Sequence, residues 1–366
     1  MNGLKSLQLK KHMLTAISYL IPVVCGAGFL IAIGMAMGGS SSADLTQAFS
    51  IWDAFAVMGG LGLGTLPMII STGISYSIAD KPGIAPGIVV GLVANTVGAG
   101  FVGGLIGGFI SGFLCLLIIN HLKVPNWAKG LMPMLIIPFT ASLIGGLIMI
   151  YVIGVPITAL TGMLTNYLGS LSSSSKILYG LIIGVLASVD YGGAINKAVF
   201  AFVLTLQAEG IHEPITALIL VNTATPLGFT FGHFIAKLFK KKIYTNTEVE
   251  TLKTAFPMGI IEIVEGVMPI VLNDIMKCVI ATGLGGAVGG ALCMMWGADA
   301  KVPFGGMLAI PTMSGNKMLL FVIALLANVF VTGLALALLK KPVTEDATQL
   351  DDIEEADINL DEIEIF

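Results

Sequence analysis

Between Met13 and Met37 the chain runs without a single charged residue. That stretch exceeds the roughly 20 residues a helix needs to cross a bilayer. Comparable apolar runs recur as far as Leu339. Backbone in hydrocarbon must satisfy its own N–H and C=O groups, which leaves only helices or a closed barrel. The short alternating segments of a barrel are absent from the sequence. An all-α polytopic membrane protein is therefore predicted. Composition agrees, with 56% of residues hydrophobic and 11% charged, against about a quarter charged in soluble domains. The first run is too long for a signal-peptide core of about 7–15 residues and reads as a retained helix.

Several function classes drop out. The chain contains no arginine, which argues against a nucleic-acid binder or an arginine-clamped anion site. There is no Walker A pattern, no GxGxxG opening a soluble βαβ unit and no HExxH. ATP does not energise this chain directly. Cys25, Cys115, Cys278 and Cys293 stand singly in apolar runs without metal spacing and read as packing residues. His12, His121, His212 and His233 read as interfacial.

Lysine placement sets the expected topology. Lys5, Lys10 and Lys11 precede the first helix, Lys240, Lys241 and Lys242 sit in the loop Lys237–Lys253, and Lys340 and Lys341 follow the last helix. The positive-inside rule puts all three regions, and both termini, in the cytoplasm. The number of crossings between them must then be even. Residues 1–12 form a cytoplasmic N-terminus, and 13–155 hold five helices, near Met13–Met37, Ala54–Ala79, Ile84–Ala99, Phe101–His121 and Leu131–Val155. Residues 156–175 form an extracytoplasmic amphipathic segment. Three crossings fill 176–236, broken at Asp190–Gly193 and Glu209–Glu213. Ile275–Trp296 and Lys317–Leu339 complete ten spans. Two apolar but interrupted stretches, near 254–274 and 303–315, read as re-entrant hairpins. Residues 342–366 form an acidic cytoplasmic tail with ten carboxylates between Glu345 and Glu364. The rows Gly100/Gly104/Gly108/Gly112, Gly285/Gly289 and Gly286/Gly290 let helices approach closely, either inside one protomer or at a dimer seam.

Four groups carry the chemistry. The first is Met258-Gly-Ile-Ile-Glu262-Ile-Val-Glu265-Gly-Val-Met-Pro269. A carboxylate at bilayer depth costs about 2.5–3.5 kcal/mol on insertion scales, so it faces a partner, a cavity or a substrate. Gly266 and Pro269 interrupt the helix beside it. A carboxylate accepts hydrogen bonds from vicinal hydroxyls, which suits a sugar; pairing with Lys277 or a backbone amide is the structural alternative. The second is Asp190-Tyr-Gly-Gly-Ala-Ile-Asn196-Lys197, where Asp190 and Lys197 form a buried ion pair or Asn196 serves a polyhydroxyl ligand. The third, Ala79-Asp-Lys-Pro-Gly-Ile-Ala-Pro-Gly87, is physically a turn. The fourth is Pro303-Phe304-Gly305-Gly306, whose unpaired backbone lines a cavity or caps a hairpin.

These residues are recognisable together. Ser77-Ile-Ala-Asp-Lys-Pro-Gly-Ile-Ala-Pro-Gly87 resembles the SIADRPGxAPG signature of the fructose-type membrane component, enzyme IIC, of the bacterial phosphoenolpyruvate:sugar phosphotransferase system. Gly100-Phe-Val-Gly-Gly-Leu-Ile-Gly-Gly-Phe109 is similar to its GFxGGxxxGF stretch. Asp190–Lys197 is similar to DMGGPxNK, and Glu262–Pro269 to GITEGAIP. Three positions depart: Lys81 replaces an arginine, Glu262 a glycine, and Phe304 the histidine of PHGG. The last two bear on the sugar pocket, so the expected substrate is fructose or a fructose-like sugar.

The resemblance implies a homodimeric permease in lipid, with ten helices, two hairpins and the architecture of the glucose-superfamily IIC proteins, moving sugar by an elevator-like step. It assigns 13–155 to scaffold and dimerisation and 176–341 to transport. It places Glu265 on the family's sugar-binding glutamate, with Glu262, Asn196, Asp190, Lys197, Phe304 and Gly305 around the substrate. No cofactor is implied; the phosphoryl donor is a phosphorylated IIB protein, charged through IIA. The chain is then the membrane subunit of a protein-Nπ-phosphohistidine–sugar phosphotransferase, inactive without those partners. The rivals are an ion-coupled secondary sugar transporter using Glu262, Glu265 and Asp190 as coupling carboxylates, and a non-transporting sensor or scaffold.

Overall fold

The structure, a computed structural model, describes residues 8–170 and 173–343. The expectations for residues 1–7, for Ser172 and for the acidic tail beyond Val343 lie outside the described residues. Within them every regular element is helical. The chain divides into two compact units: one takes the described residues of Met1–Leu171, Phe200–His212 and Val302–Phe304, the other those of Ser172–Val199, Glu213–Lys301 and Gly305–Phe366.

The first unit opens with α1 (Leu9–Ala36), α2 (Ile51–Gly64) and α3 (Leu66–Ala79). A capping box starts α2: the Ser50 hydroxyl accepts the Asp53 N–H, and the Asp53 carboxylate accepts the Ser50 N–H at 2.8 Å. The single helix expected over Ala54–Ala79 is instead a pair bent by 45°. Pro67 brings no N–H to the ladder, so the helix stops at Thr65 and restarts. The turn after Ala79 is a short 3₁₀ segment, Lys81–Gly83, followed by α4 (Ile84–Thr96). The buried Ser75 hydroxyl donates to the Gly83 carbonyl at 2.7 Å. The signature turn is thus seated on α3.

Next comes α5 (Gly100–His121). A Cβ on Gly104, Gly108 or Gly112 would collide with Pro67, Ser71 or Ile78 of α3. This glycine row is occupied inside one protomer and is not left for a dimer seam. Beyond it, the helix expected to end at Val155 runs on. A π-helical turn (Met132–Ile136), α6 (Ile137–Ile148), a second π-turn (Met149–Ile153) and α7 (Gly154–Gly169) follow without a break. The second π-turn precedes Pro156 and takes up the register that its missing N–H would disrupt.

The second unit contains α8 (Ser173–Ser188), the start of α9 (Ala194–Ala208), α10 (Glu213–Leu238), α11 (Asn246–Ile260), a 3₁₀ turn (Glu265–Val267), α12 (Met268–Asn273), α13 (Ile275–Met295), a 3₁₀ segment (Gly306–Thr312) and α14 (Lys317–Leu339). Helix α10 is its buried centre: every residue from Pro214 to Phe229 is enclosed. Gly180 and Gly184 of α8 lie directly against the backbone of Gly290 and Gly286 in α13. The other face of α13 puts Gly285 and Gly289 on Asn328 of α14.

Among the described residues six helices are long and apolar enough to cross a membrane, or seven if α2 and α3 form one broken span. Ten is not reached by that measure, because α4, α8 and α9 have 13, 16 and 15 residues. The chain is a multi-pass membrane protein.

One ion pair in the second unit was not anticipated from sequence. Glu248 and Lys340, each with a side chain 6% exposed, meet at 3.5 Å. The Glu248 carboxylate also accepts Asn273 Nδ2 at 3.0 Å and the Thr245 N–H at 2.9 Å. Lys340 Nζ lies 4.7 Å from the centre of the Tyr244 ring. The pattern Thr245-x-x-Glu248 is a capping box and was the available signal. At the far end of the unit, Asp299 gathers Lys301 at 3.0 Å, Lys317 at 3.3 Å and the Ser314 N–H and hydroxyl at 3.0 and 2.8 Å.

Candidate functional site

The 254–274 hairpin is α11, a reversal at Ile261–Val264, the 3₁₀ turn and α12. Glu262 sits in the reversal with φ +73° and is 2% exposed. That left-handed backbone is uncommon for a side-chain-bearing residue and persists where surroundings over-determine it. Here they do. Glu262 Oε2 accepts the N–H of Gly305 at 3.0 Å and of Gly306 at 3.2 Å, and Oε1 accepts Asn222 Nδ2 at 3.4 Å. The glycines are needed for this approach. Gly305 has φ +136° and Gly306 φ +59°, and a Cβ on Gly306 would strike the Ile260 carbonyl.

From Glu262 the polar chain continues inward. Asn222 Oδ1 accepts Asn196 Nδ2 at 2.8 Å, and the same nitrogen donates to the Ala187 carbonyl at 2.7 Å. Both amide hydrogens of Asn196 are thereby committed to protein, leaving Oδ1 for any other partner. Asp190 accepts the N–H groups of Ile195 at 2.5 Å and Asn196 at 3.0 Å. It caps the N-terminus of α9, where free N–H groups and the helix dipole favour a carboxylate. The buried Asp190–Lys197 ion pair is not formed among the described residues. The cap claims both Asp190 oxygens, and Lys197 remains half-buried. Lys277 pairs with Asp274 at 2.8 Å, so it is not the partner of Glu262 or Glu265.

Glu265 differs from Glu262 in exposure. It begins the 3₁₀ turn with its side chain outward. Its carboxylate lies over Gly192 in the break between α8 and α9, so close that a Cβ there would be 2.8 Å from Cδ. Gly192 has φ +87°, following Tyr191 at φ +47°. Tyr191 is buried, with its hydroxyl 3.0 Å from Thr282 Oγ1. The geometry therefore brings Glu262, Asn196, Asp190 and Gly305 into one bonded frame and sets Glu265 at the Gly192 break with an open carboxylate. Phe304 belongs to the first unit, its ring 5.9 Å from Phe29 in an edge-on contact.

Asn222 was missed from sequence, although a lone amide within the apolar α10 is the signal that membrane helices give for a polar junction. Among the described residues no three His, Cys, Asp or Glu side chains group closely enough to hold a metal ion.

No model of a known protein family matches the chain. Individual relatives do. It is 40% identical over 338 residues to the PTS system fructose-specific EIIB'BC component of Xanthomonas campestris, covering 92% of this chain and 57% of that protein. The chain thus spans little more than half the length of that relative. It is 29% identical over 355 residues to the fructose-like permease IIC component 2 of Escherichia coli, covering 96% of both. By structure it resembles the transporter ChbC, the IIC component from the N,N'-diacetylchitobiose-specific phosphotransferase system, with a TM-score of 0.54, 14% identity and 98% coverage of both chains. Extended sequence similarity and a shared helical fold agree, and along nearly its whole length the chain resembles the fructose-type IIC membrane components of the phosphotransferase system.

Proposed function

We propose that the chain is the sugar-translocating subunit of a phosphoenolpyruvate-dependent phosphotransferase system, taking fructose or a fructose-like sugar. The observation that carries this reading is the exposed carboxylate of Glu265, held at a broken membrane segment opposite the Gly192 break, in a chain with this resemblance. Glu265 accepts hydrogen bonds from sugar hydroxyls and orients one of them. A phosphocysteine on a separate IIB protein then transfers its phosphoryl group: the hydroxyl oxygen bonds to phosphorus as the S–P bond breaks, and the hydroxyl proton ends on the departing cysteine sulfur. IIA recharges IIB. Glu262, Asn196, Asp190 and Gly305 hold the frame in which Glu265 works, and Lys197 borders it.

The same reading makes the protein a homodimer with ten crossings, counting α4, α8 and α9 as short tilted spans beside the seven longer ones. Both termini and the loop Lys237–Lys253 face the cytoplasm. Membrane vesicles supplied with phosphoenolpyruvate, the general phosphotransferase proteins, IIA and IIB should accumulate sugar phosphate from a ketose panel. Uptake of unmodified sugar, abolished by an uncoupler, would overturn the proposal. For the topology, a Lys241→Cys protein in intact cells should resist an impermeant thiol reagent; periplasmic labelling would reverse the orientation.

A further inference from the structure

We propose that the acidic segment Glu345–Glu364 docks on a lysine-lined pocket of its own chain and so acts as a built-in competitor for anionic partners at that face. The pocket lies at the end of α10 and the start of α11, has a volume of about 540 Å³, and is lined by Lys237, Lys240, Lys241 and Lys242 together with His233, Tyr244 and Glu250. Its one carboxylate, Glu250, is engaged by Lys253. Among the described residues no carboxylate pairs with Lys237, Lys240 or Lys241. Lys237, Lys240 and Lys241 thus line one pocket without a carboxylate on any of them among the described residues, and like charges gathered there favour an anionic occupant.

The chain itself supplies the occupant at the right place. The Val343 N–H donates to the Lys242 carbonyl at 2.8 Å, which pins the exit of the last helix against the pocket rim. Lys340 is anchored below it by Glu248. Glu345 and Asp346 come two and three residues later, so they can lie no more than roughly 11 Å along the chain from that anchor. Eight further carboxylates follow, and no basic residue occurs after Lys341. A tethered segment meets its site at millimolar effective concentration, ahead of most partners in solution. The attraction is between exposed charges and is therefore screened by salt.

The test uses the full-length protein in detergent or nanodiscs. A glutamyl endopeptidase that cuts after Glu354, Glu355, Glu362 and Glu364 is followed by intact mass. At 50 mM salt the wild-type tail should be cut at least fivefold more slowly than that of the Lys237→Gln/Lys240→Gln/Lys241→Gln variant, and the difference should vanish at 1 M salt. Carbodiimide treatment should join tail carboxylates to Lys237, Lys240 and Lys241 in the wild type. A variant with all ten carboxylates from Glu345 to Glu364 changed to the amides should lose those links while keeping its fold. Equal cleavage of wild type and lysine variant at low salt would overturn the proposal. So would a pocket whose binding of anionic-lipid vesicles is the same with the acidic and the amidated tail.

Discussion

Glu262 and Gly305 lie 43 residues apart, and the carboxylate of one accepts the backbone N–H of the other at 3.0 Å. Gly306 shares the same oxygen, so one buried side chain joins the reversal of the first interrupted stretch to the start of the second. Hydrogen bonds to charged groups contribute about 1.5–3 kcal/mol. Glu262→Ala should therefore lower stability by about 3 kcal/mol or more, read as earlier aggregation in a thermal ramp, since it also orphans Asn222 Nδ2. Glu262→Gln keeps an acceptor and should cost less. If it binds sugar as the wild type does, the residue is a tie and not a ligand.

Glu265→Gln should behave in the opposite way. The side chain is exposed, so stability should hold. Loss of the charge-assisted bonds to sugar should weaken binding roughly ten- to a hundredfold, measured by equilibrium binding and by phosphorylation rate. Wild-type affinity in this variant would remove Glu265 from the site. Gly192→Ala should mimic the defect, because the added methyl displaces the Glu265 carboxylate and strains a backbone at φ +87°.

Lys340→Met should be among the most damaging substitutions in the second unit. It leaves the Glu248 carboxylate buried without its cation, a loss of about 3–5 kcal/mol. Pairing it with Glu248→Gln should recover part of that, and a double-mutant cycle by denaturation in detergent measures the coupling.

Asp299 gives the pH dependence. Burial alone would raise its pKa, but the Ser314 N–H and hydroxyl and the Lys301 ammonium outweigh it and hold the carboxyl well below the usual range. A depressed pKa means that its stabilisation is complete above the unfolded-state value of about 3.9 and is lost only as pH falls further. Wild-type stability from this cluster should be flat between pH 5 and pH 8 to within about 0.5 kcal/mol. Asp299→Asn should lose about 1–3 kcal/mol across that window, and the gap should close in stronger acid.

The long elements were legible because uninterrupted apolar runs bounded by lysines leave little choice. The last helix starts at Lys317 and ends at Leu339 as read from the sequence, and the breaks at Asp190–Gly193 and Glu209–Glu213 fall where Gly and charge interrupt the pattern. Two boundaries failed for a common reason. Hydropathy does not register a missing N–H at Pro67, which divides a run that reads as one helix. Nor does it register that a π-turn carries the helix past Pro156. In the candidate site, residue types and spacing single out groups that the fold brings together but not which atoms meet. Asp190 has an amide cap and a lysine within reach in sequence, and only the left-handed turn at Tyr191 and Gly192 determines that the cap wins. Asn222 escaped notice because a single amide barely alters the hydropathy of α10.

The seam between Gly180/Gly184 and Gly286/Gly290 has a mechanical consequence. Where two helices approach backbone to backbone at four glycines, the choice of seating is narrow. A shift by one residue would drive Tyr179, Ile183 or Ala287 into a gap with no room for a side chain. Helices α8 and α13 therefore cannot slide past each other, and any displacement of one must carry the other as a single rigid plate. The freedom left to this part of the chain is confined to the plate's edges, and the nearest edge is the Asp190–Gly193 break that holds Gly192 under Glu265.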